Sequence, residues 1–276
     1  MSKNEIMSII FSNNIKFKAE FLSSIIILFL VFLVSLYGIL FHDEIYSSAQ
    51  NINNLATDWM NLLIIIPLFI ITLWLVSKGN IIGLLLWSGI LFYLVFIYLF
   101  YSISISFQWT SLLYITITPL CGFTSIGIIG KMDSDEVHNF LANRLSTSLT
   151  GGLLLLFGLF FLALDLLNII GYLSNSSTIE IDQYTALIVD FTVGIPLLLI
   201  GGILIIQKKN LGYVLSLGLL LYIILLDFGV SVLYIFKWFF NEPDFDPGAL
   251  IIFSVITLIC FFPIYLSYKK TQSISY

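Results

Sequence analysis

Charged residues in this chain fall almost entirely in short segments between eight long apolar stretches, a pattern that few folds can accommodate. A helix crossing the roughly 30 Å of bilayer hydrocarbon needs about 20 residues at ~1.5 Å each. Stretches of about that length run approximately over residues 21–41, 60–77, 81–101, 110–130, 149–171, 185–206, 211–236 and 248–268. Hydrocarbon offers the backbone no hydrogen-bond partner, so each stretch must satisfy its own amides as a helix. The expected fold class is all-α, a polytopic membrane protein with eight transmembrane helices. Composition agrees: 59% of the 276 residues are hydrophobic and 10% are charged, where a soluble domain carries about 25% charged residues. Lys16 and Lys18 precede the first stretch as they would in a signal peptide. Its apolar run exceeds the usual 7 to 15 residues, so it reads as a retained helix.

Loop charges test the count independently, because Lys and Arg near helix ends stay preferentially on the cytoplasmic side. With the N-terminus inside, ten of the eleven basic residues fall in cytoplasmic segments, and Lys237 alone lies outside. The outer segments hold His42, Asp43, Glu44, Asp58, Glu180, Asp182, Glu242, Asp244 and Asp246. Miscounting one span would scramble every later loop, so the segregation supports eight spans. The sequence therefore predicts a multi-pass protein of the cell membrane with both termini cytoplasmic.

Sliding the chain against itself by 129 residues pairs Asn61 with Asp190, Pro67 with Pro196, Gly83 with Gly212, Gly89 with Gly218 and Tyr93 with Tyr222. The turn containing Lys78, Gly79 and Asn80 has a counterpart in Lys208, Lys209 and Asn210. Four helices is an even number, so the two halves enter the membrane from the same face, as two parallel four-helix repeats. The expected divisions are 1–130 for the first repeat, 131–148 for a cytoplasmic amphipathic linker and 149–276 for the second repeat. In the linker, Val137, Phe140, Leu141 and Leu145 recur at helical spacing among polar residues. That stripe predicts a helix lying flat in the headgroups or a plain helical linker. Ile6, Ile9 and Ile10 give the N-terminus a weaker version of it.

Gly89, Tyr93, Tyr98 and Tyr101, followed by Phe107 and an apolar helix, form a string that resembles one found in uncharacterised prokaryotic multi-pass membrane proteins. Their typical half runs from Asp through Pro, a basic turn, Gly and a Tyr-rich helix to Phe before a final span. Residues 58–125 and 187–260 are similar to that unit. Asn61 departs from it where an acid is expected, with Asp58 one turn earlier, and Asp227 stands where the pattern has a tyrosine. The resemblance implies the repeated architecture and carries no activity with it.

Three acids lie inside the expected spans: Asp165, Asp190 and Asp227. A carboxylate at the centre of a membrane helix costs on the order of 2.5 to 3.5 kcal/mol on insertion scales, so each needs a reason to be there. All three sit 16 residues from the cytoplasmic end of their stretch, which is about 24 Å along a helix. They thus share a depth in the outer third of the bilayer, on three helices of the second half. Leu36, Asn61 and Tyr98 hold the corresponding places in the first. Three readings follow: an outward-facing polar site for a cation, a proton or a polar solute; hydrogen-bonded fastening of helices; or exposure to headgroup water.

Other chemistry finds little footing. His42 and His138 lie on opposite sides of the membrane and cannot ligate haem together, and one histidine beside Asp43 and Glu44 makes no metal site. HExxH, GxSxG and P-loop motifs are absent from the sequence, and no cofactor or enzymatic activity is expected. Cys121 and Cys260 lie in apolar runs and read as small buried hydrophobes. The basic residues form no stripe for phosphates, which excludes nucleic acid. Tyr93, Tyr98, Tyr101, Trp109, Tyr234, Trp238 and Phe239 fit an interfacial aromatic belt. Pro119, with Gly122, Gly127 and Gly130, marks the fourth helix for a break or kink. Asn175, Ser176 and Ser177 form a glycosylation sequon. The expected partners are the lipid bilayer and a small polar solute or cation. The leading functional expectation is a small-solute or ion transporter with an outward-facing acidic site, and the alternative is a non-transporting receptor, sensor or membrane assembly protein.

Overall fold

The structure, a computed structural model, describes residues 16–47, 50–175 and 179–272. Among these residues eight long helices cross the bundle: α1 (Lys18–Leu40), α2 (Asn51–Ser77), α3 (Ile81–Ser104), α4 (Trp109–Lys131), α5 (Thr147–Asn175), α6 (Ile181–Ile206), α7 (Asn210–Phe239) and α8 (Pro247–Gln272). Each is long and apolar enough to span a membrane, and no strand occurs among the described residues. Large apolar side chains such as Leu22, Phe29, Phe123, Leu167 and Leu258 cover the outer faces. Such a surface requires lipid around it, and the chain is an integral membrane protein.

Two helices start earlier than the apolar stretches suggest. The second begins at Asn51 instead of residue 60, and the sixth at Ile181 instead of 185. Asp58, expected in an outer loop, therefore sits well inside α2. The N-terminal stripe of Ile6, Ile9 and Ile10 lies outside the described residues, as do Ser176 and Ser177 of the sequon.

Both tight turns near the basic loops use a left-handed residue, Gly79 between α2 and α3 (φ 74°) and Lys208 between α6 and α7 (φ 55°). They are 129 positions apart. Asn80 then caps α3, its side chain accepting from the Gly83 amide at 3.0 Å. A π-helical turn interrupts α2 at Asn61–Ile65 and α6 at Asp190–Gly194, again at the same offset. Each precedes a proline, Pro67 or Pro196, by the same distance. The proline ring lacks an N–H and clashes with the carbonyl four residues back, and a widened turn relieves that clash.

α3 and α7 are the most buried helices and form the centre of the bundle. They meet at Gly89 and Gly218: a Cβ on Gly89 would lie 2.4 Å from the Gly218 carbonyl oxygen. α2 and α4 flank α3, α6 and α8 flank α7, and α1 and α5 complete the outside. The contacts also cross between halves, with α7 packing on Asn51–Met60 of α2 and α3 packing on Ile181–Val189 of α6.

α4 runs unbroken through Pro119. At its far end Lys131 pairs with the buried Glu20 of α1 at 2.6 Å. The linker helix Ser134–Leu141 is capped by Asp133, whose side chain accepts from the amides of Asp135 and Glu136 at 3.0 and 3.1 Å. Its apolar face meets protein instead of headgroups: Val137, Leu141 and Leu145 are buried, the helix packs on α7, and the His138 ring stacks on Tyr213 with centroids 4.5 Å apart. Sequence periodicity locates such a stripe but does not say what covers it.

Candidate functional site

The N-terminal part of α2 begins with a run of polar residues, and their spacing decides where they point. Gln50, Asn54, Asp58 and Asn61 recur every three or four positions, which puts them on one face of a helix. That face turns inward, and all four are buried. Gln50 donates to the Asp182 carboxylate of α6 and to the Ser104 carbonyl of α3. Tyr101 donates to the Asn54 carbonyl at 3.3 Å.

Beside this stripe lies a cavity of about 340 Å³. α2 lines it with Asn53, Asn54 and Thr57, and α3 with Tyr93, Phe96, Phe100 and Tyr101. Asp190 of α6 and Asp227 of α7 complete the polar part, while Phe161 of α5 and Phe253 of α8 add to the apolar part. The volume is at the small end of ligand sites, which span about 300 to 1,000 Å³.

The structure thus brings two of the three sequence-predicted acids together. Asp190 opens the π-helical turn of α6, where Gly194 leaves room for it: a Cβ at 194 would lie 3.0 Å from the Asp190 Oδ1 and 3.2 Å from the Tyr222 hydroxyl. Asp227 is 2% exposed, and its Oδ2 is buried with no hydrogen-bond partner. Asp165 faces a separate space of about 90 Å³ with Asn168, Tyr172 and Gln183. It remains near enough to Asp190 for the two charges to act on each other.

None of these carboxyls has a cation beside it. Ion pairs among the described residues join Lys131 to Glu20, Lys237 to Asp244 and His42 to Asp43, all away from the cavity. His42 is held at the end of α1 by Asn51 and Asp43, each at 3.0 Å from its Nδ1. Cys121 and Cys260 are buried free thiols. A carboxylate removed from water without a partner is costly, so Asp190 and Asp227 call for a proton or a positively charged guest.

Sequence reasoning missed Asp58, the most buried acid of the bundle at 1% exposed. The Tyr46 hydroxyl donates to its Oδ2 at 2.5 Å. Burial pushes the Tyr46 phenol far above its ordinary value, and the neighbouring Asp58 adds to the effect, so Tyr46 stays a donor. Gly38 of α1 closes over the pair, for a Cβ there would lie 2.0 Å from the carboxylate oxygen and 2.6 Å from the phenol oxygen. The readable signal was the polar stripe itself, which continues past the end of the apolar stretch at helical spacing. Tyr93, Tyr98 and Tyr101 likewise line the interior instead of an interfacial belt, whereas Trp109, Trp238 and Phe239 are exposed near helix ends.

No protein-family model matches this chain, and neither the curated proteins nor the solved structures gave a match.

Proposed function

We propose that this membrane protein binds a small organic cation in the cavity between α2, α3, α6 and α7 and carries it across the bilayer. The observation behind this reading is the pairing of Asp190 and Asp227, two uncompensated carboxyls on different helices facing one small space. The same space is lined by Tyr93, Phe96, Phe100 and Phe161. Aromatic faces attract a cation and hold its apolar substituents, while the carboxyls supply the countercharge.

On this reading the chain is two parallel four-helix copies, with the basic loops on the cytoplasmic side. Support comes from features that coincide at an offset of 129 residues: the two π-helical turns, the left-handed residues Gly79 and Lys208, and Gly89 against Gly218 at the crossing. Asn61 with Tyr93 stands where the other copy has Asp190 with Tyr222. One copy therefore keeps a neutral version of the place that is charged in the other. An asymmetric site between pseudo-symmetric halves suits a transporter, whose halves rock about a fixed site.

Benzyltrimethylammonium is a suitable probe, being a permanent cation with one aromatic arm. It is expected to raise the thermal unfolding temperature of the purified protein, and Asp227→Asn and Asp190→Asn are expected to abolish that rise. Asp165→Asn, outside the cavity, should retain most of it. Equal stabilisation of the wild type and Asp227→Asn, or none of either, would remove the cation site. Binding with no flux into proteoliposomes would favour a receptor or sensor over a carrier.

A further inference from the structure

The Asp58 cluster lies next to the cavity but is not part of its lining, and its groups form a connected set. The Tyr46 hydroxyl donates to one carboxyl oxygen, and the Ser35 hydroxyl of α1 lies beside the carboxyl. Asn61 donates to the Ser35 oxygen at 3.4 Å, and Tyr93, a cavity residue, donates to Asn61 at 3.5 Å. The carboxyl thus neighbours a hydrogen-bonded chain of Ser35, Asn61 and Tyr93 that reaches the cavity wall.

Titratable neighbours come from each side. The α1–α2 connection supplies Tyr46, α3 supplies Tyr93, Tyr98 and Tyr101, and α4 supplies Tyr114. α1 brings Ser35 and Gly38 against the carboxyl, while its Tyr37 meets Trp109 edge to face with centroids 4.6 Å apart. α7, packed on the other side of Asn51–Met60, carries Asp227 toward the cavity. Among the described residues no Lys, Arg or His pairs with Asp58. Gly38 packs directly on the carboxyl and the Tyr46 phenol, and a Cβ there would meet both.

We propose that Asp58 is a proton-binding site, occupied as a carboxylic acid at neutral pH and hydrogen-bonded to the cavity wall. In the occupied state Oδ2 is the carbonyl oxygen and accepts from Tyr46, while Oδ1 carries the proton and donates to Ser35. On release the proton leaves to water by way of the cavity, and Ser35 turns from acceptor to donor toward the carboxylate. That turn changes what Asn61 and Tyr93 meet, so the protonation state of Asp58 is felt at the cavity wall. A hydroxyl that can both give and accept is what such an exchange requires.

Infrared spectroscopy of the purified, reconstituted protein tests this without any ligand. At pH 7 a carboxylic C=O band is expected that shifts down in deuterated buffer, disappears in Asp58→Asn and persists in Asp227→Asn. Tyr46→Phe removes the donor to the carbonyl and should move that band to higher frequency, which keeps the test available if Asp58→Asn folds poorly. The proposal is overturned if Asp58→Asn removes a carboxylate band instead, or if Tyr46→Phe leaves the carboxylic band where it was.

Discussion

At Gly89 and Gly218 the two central helices approach until backbone touches backbone. A Cβ on Gly89 would lie 2.4 Å from a carbonyl oxygen and 2.9 Å from a Cα, neither of which can swing aside as a side-chain tip would. Small residues allow this approach in lipid, where packing replaces the hydrophobic drive between helices. Gly89→Ala should therefore part α3 from α7 and destabilise the protein by about 1 to 3 kcal/mol, the usual range for overpacking. Gly122 on α4 has nothing within 4 Å of its would-be Cβ. Gly122→Ala should leave stability unchanged or raise it by up to about 1 kcal/mol, through helix propensity. Unfolding by a denaturing detergent in mixed micelles measures both, and equal effects would mean that the crossing is not where the cost lies. The recurrence of these glycines was visible in the sequence, and their mutual contact was not. The acids divide in the same way. Asp190 and Asp227 stood out because they interrupt apolar runs. Asp58 did not, because it follows a polar run that resembles a loop until the run is placed on a helix.

Whole helices were more legible than their environments. Each span is set locally, by the length of apolar sequence and the need of its amides for partners. The face that turns inward depends on distant neighbours, which is why the linker stripe was found and its cover on α7 was not. The π-helical turns lie between these cases, since a proline in an apolar run predicts some local adjustment without specifying its form. The turn at Asp190–Gly194 also has a consequence for the cavity. It inserts one extra residue, and one residue of helix is about 100° of rotation. Pro196→Ala restores an amide that can bond to the Thr192 carbonyl, favouring a regular helix across the turn. The part of α6 before it would then rotate and carry the Asp190 carboxyl off the cavity wall. In a protein freed of Cys121 and Cys260, a cysteine at position 190 should react with a small cationic thiol reagent, and adding Pro196→Ala should slow that reaction while helical content by circular dichroism holds. An unchanged rate would show that the turn does not set the direction of this side chain.

For the molecule as a whole, the arrangement of charge and the arrangement of helices support each other. The Glu20–Lys131 pair and the turns at Gly79 and Lys208 lie toward one end of the bundle, and the cavity lies toward the other. A cation arriving from the acidic end would meet Glu44, Glu180 and Asp182 near the helix ends before it met Asp190 and Asp227. At the basic end a similar guest would face Lys78, Lys131, Arg144, Lys208 and Lys209. Entry from the acidic side is thus the electrostatically favoured direction, with the fixed charges of each face steering a charged solute. On the proposed orientation, with Lys and Arg at the cytoplasmic side, that direction corresponds to entry from outside the cell. Single cysteines placed at Glu44, Glu242, Arg144 and Lys208 in a cysteine-free protein give the test in intact cells. The first two should react with an impermeant maleimide and the last two only after permeabilisation. Labelling of Arg144→Cys from outside would reverse the orientation, and sites 144 and 208 on opposite sides would break the parallel relation between the halves. Either result would leave the cavity in place while removing the reason to expect loading from the cell exterior.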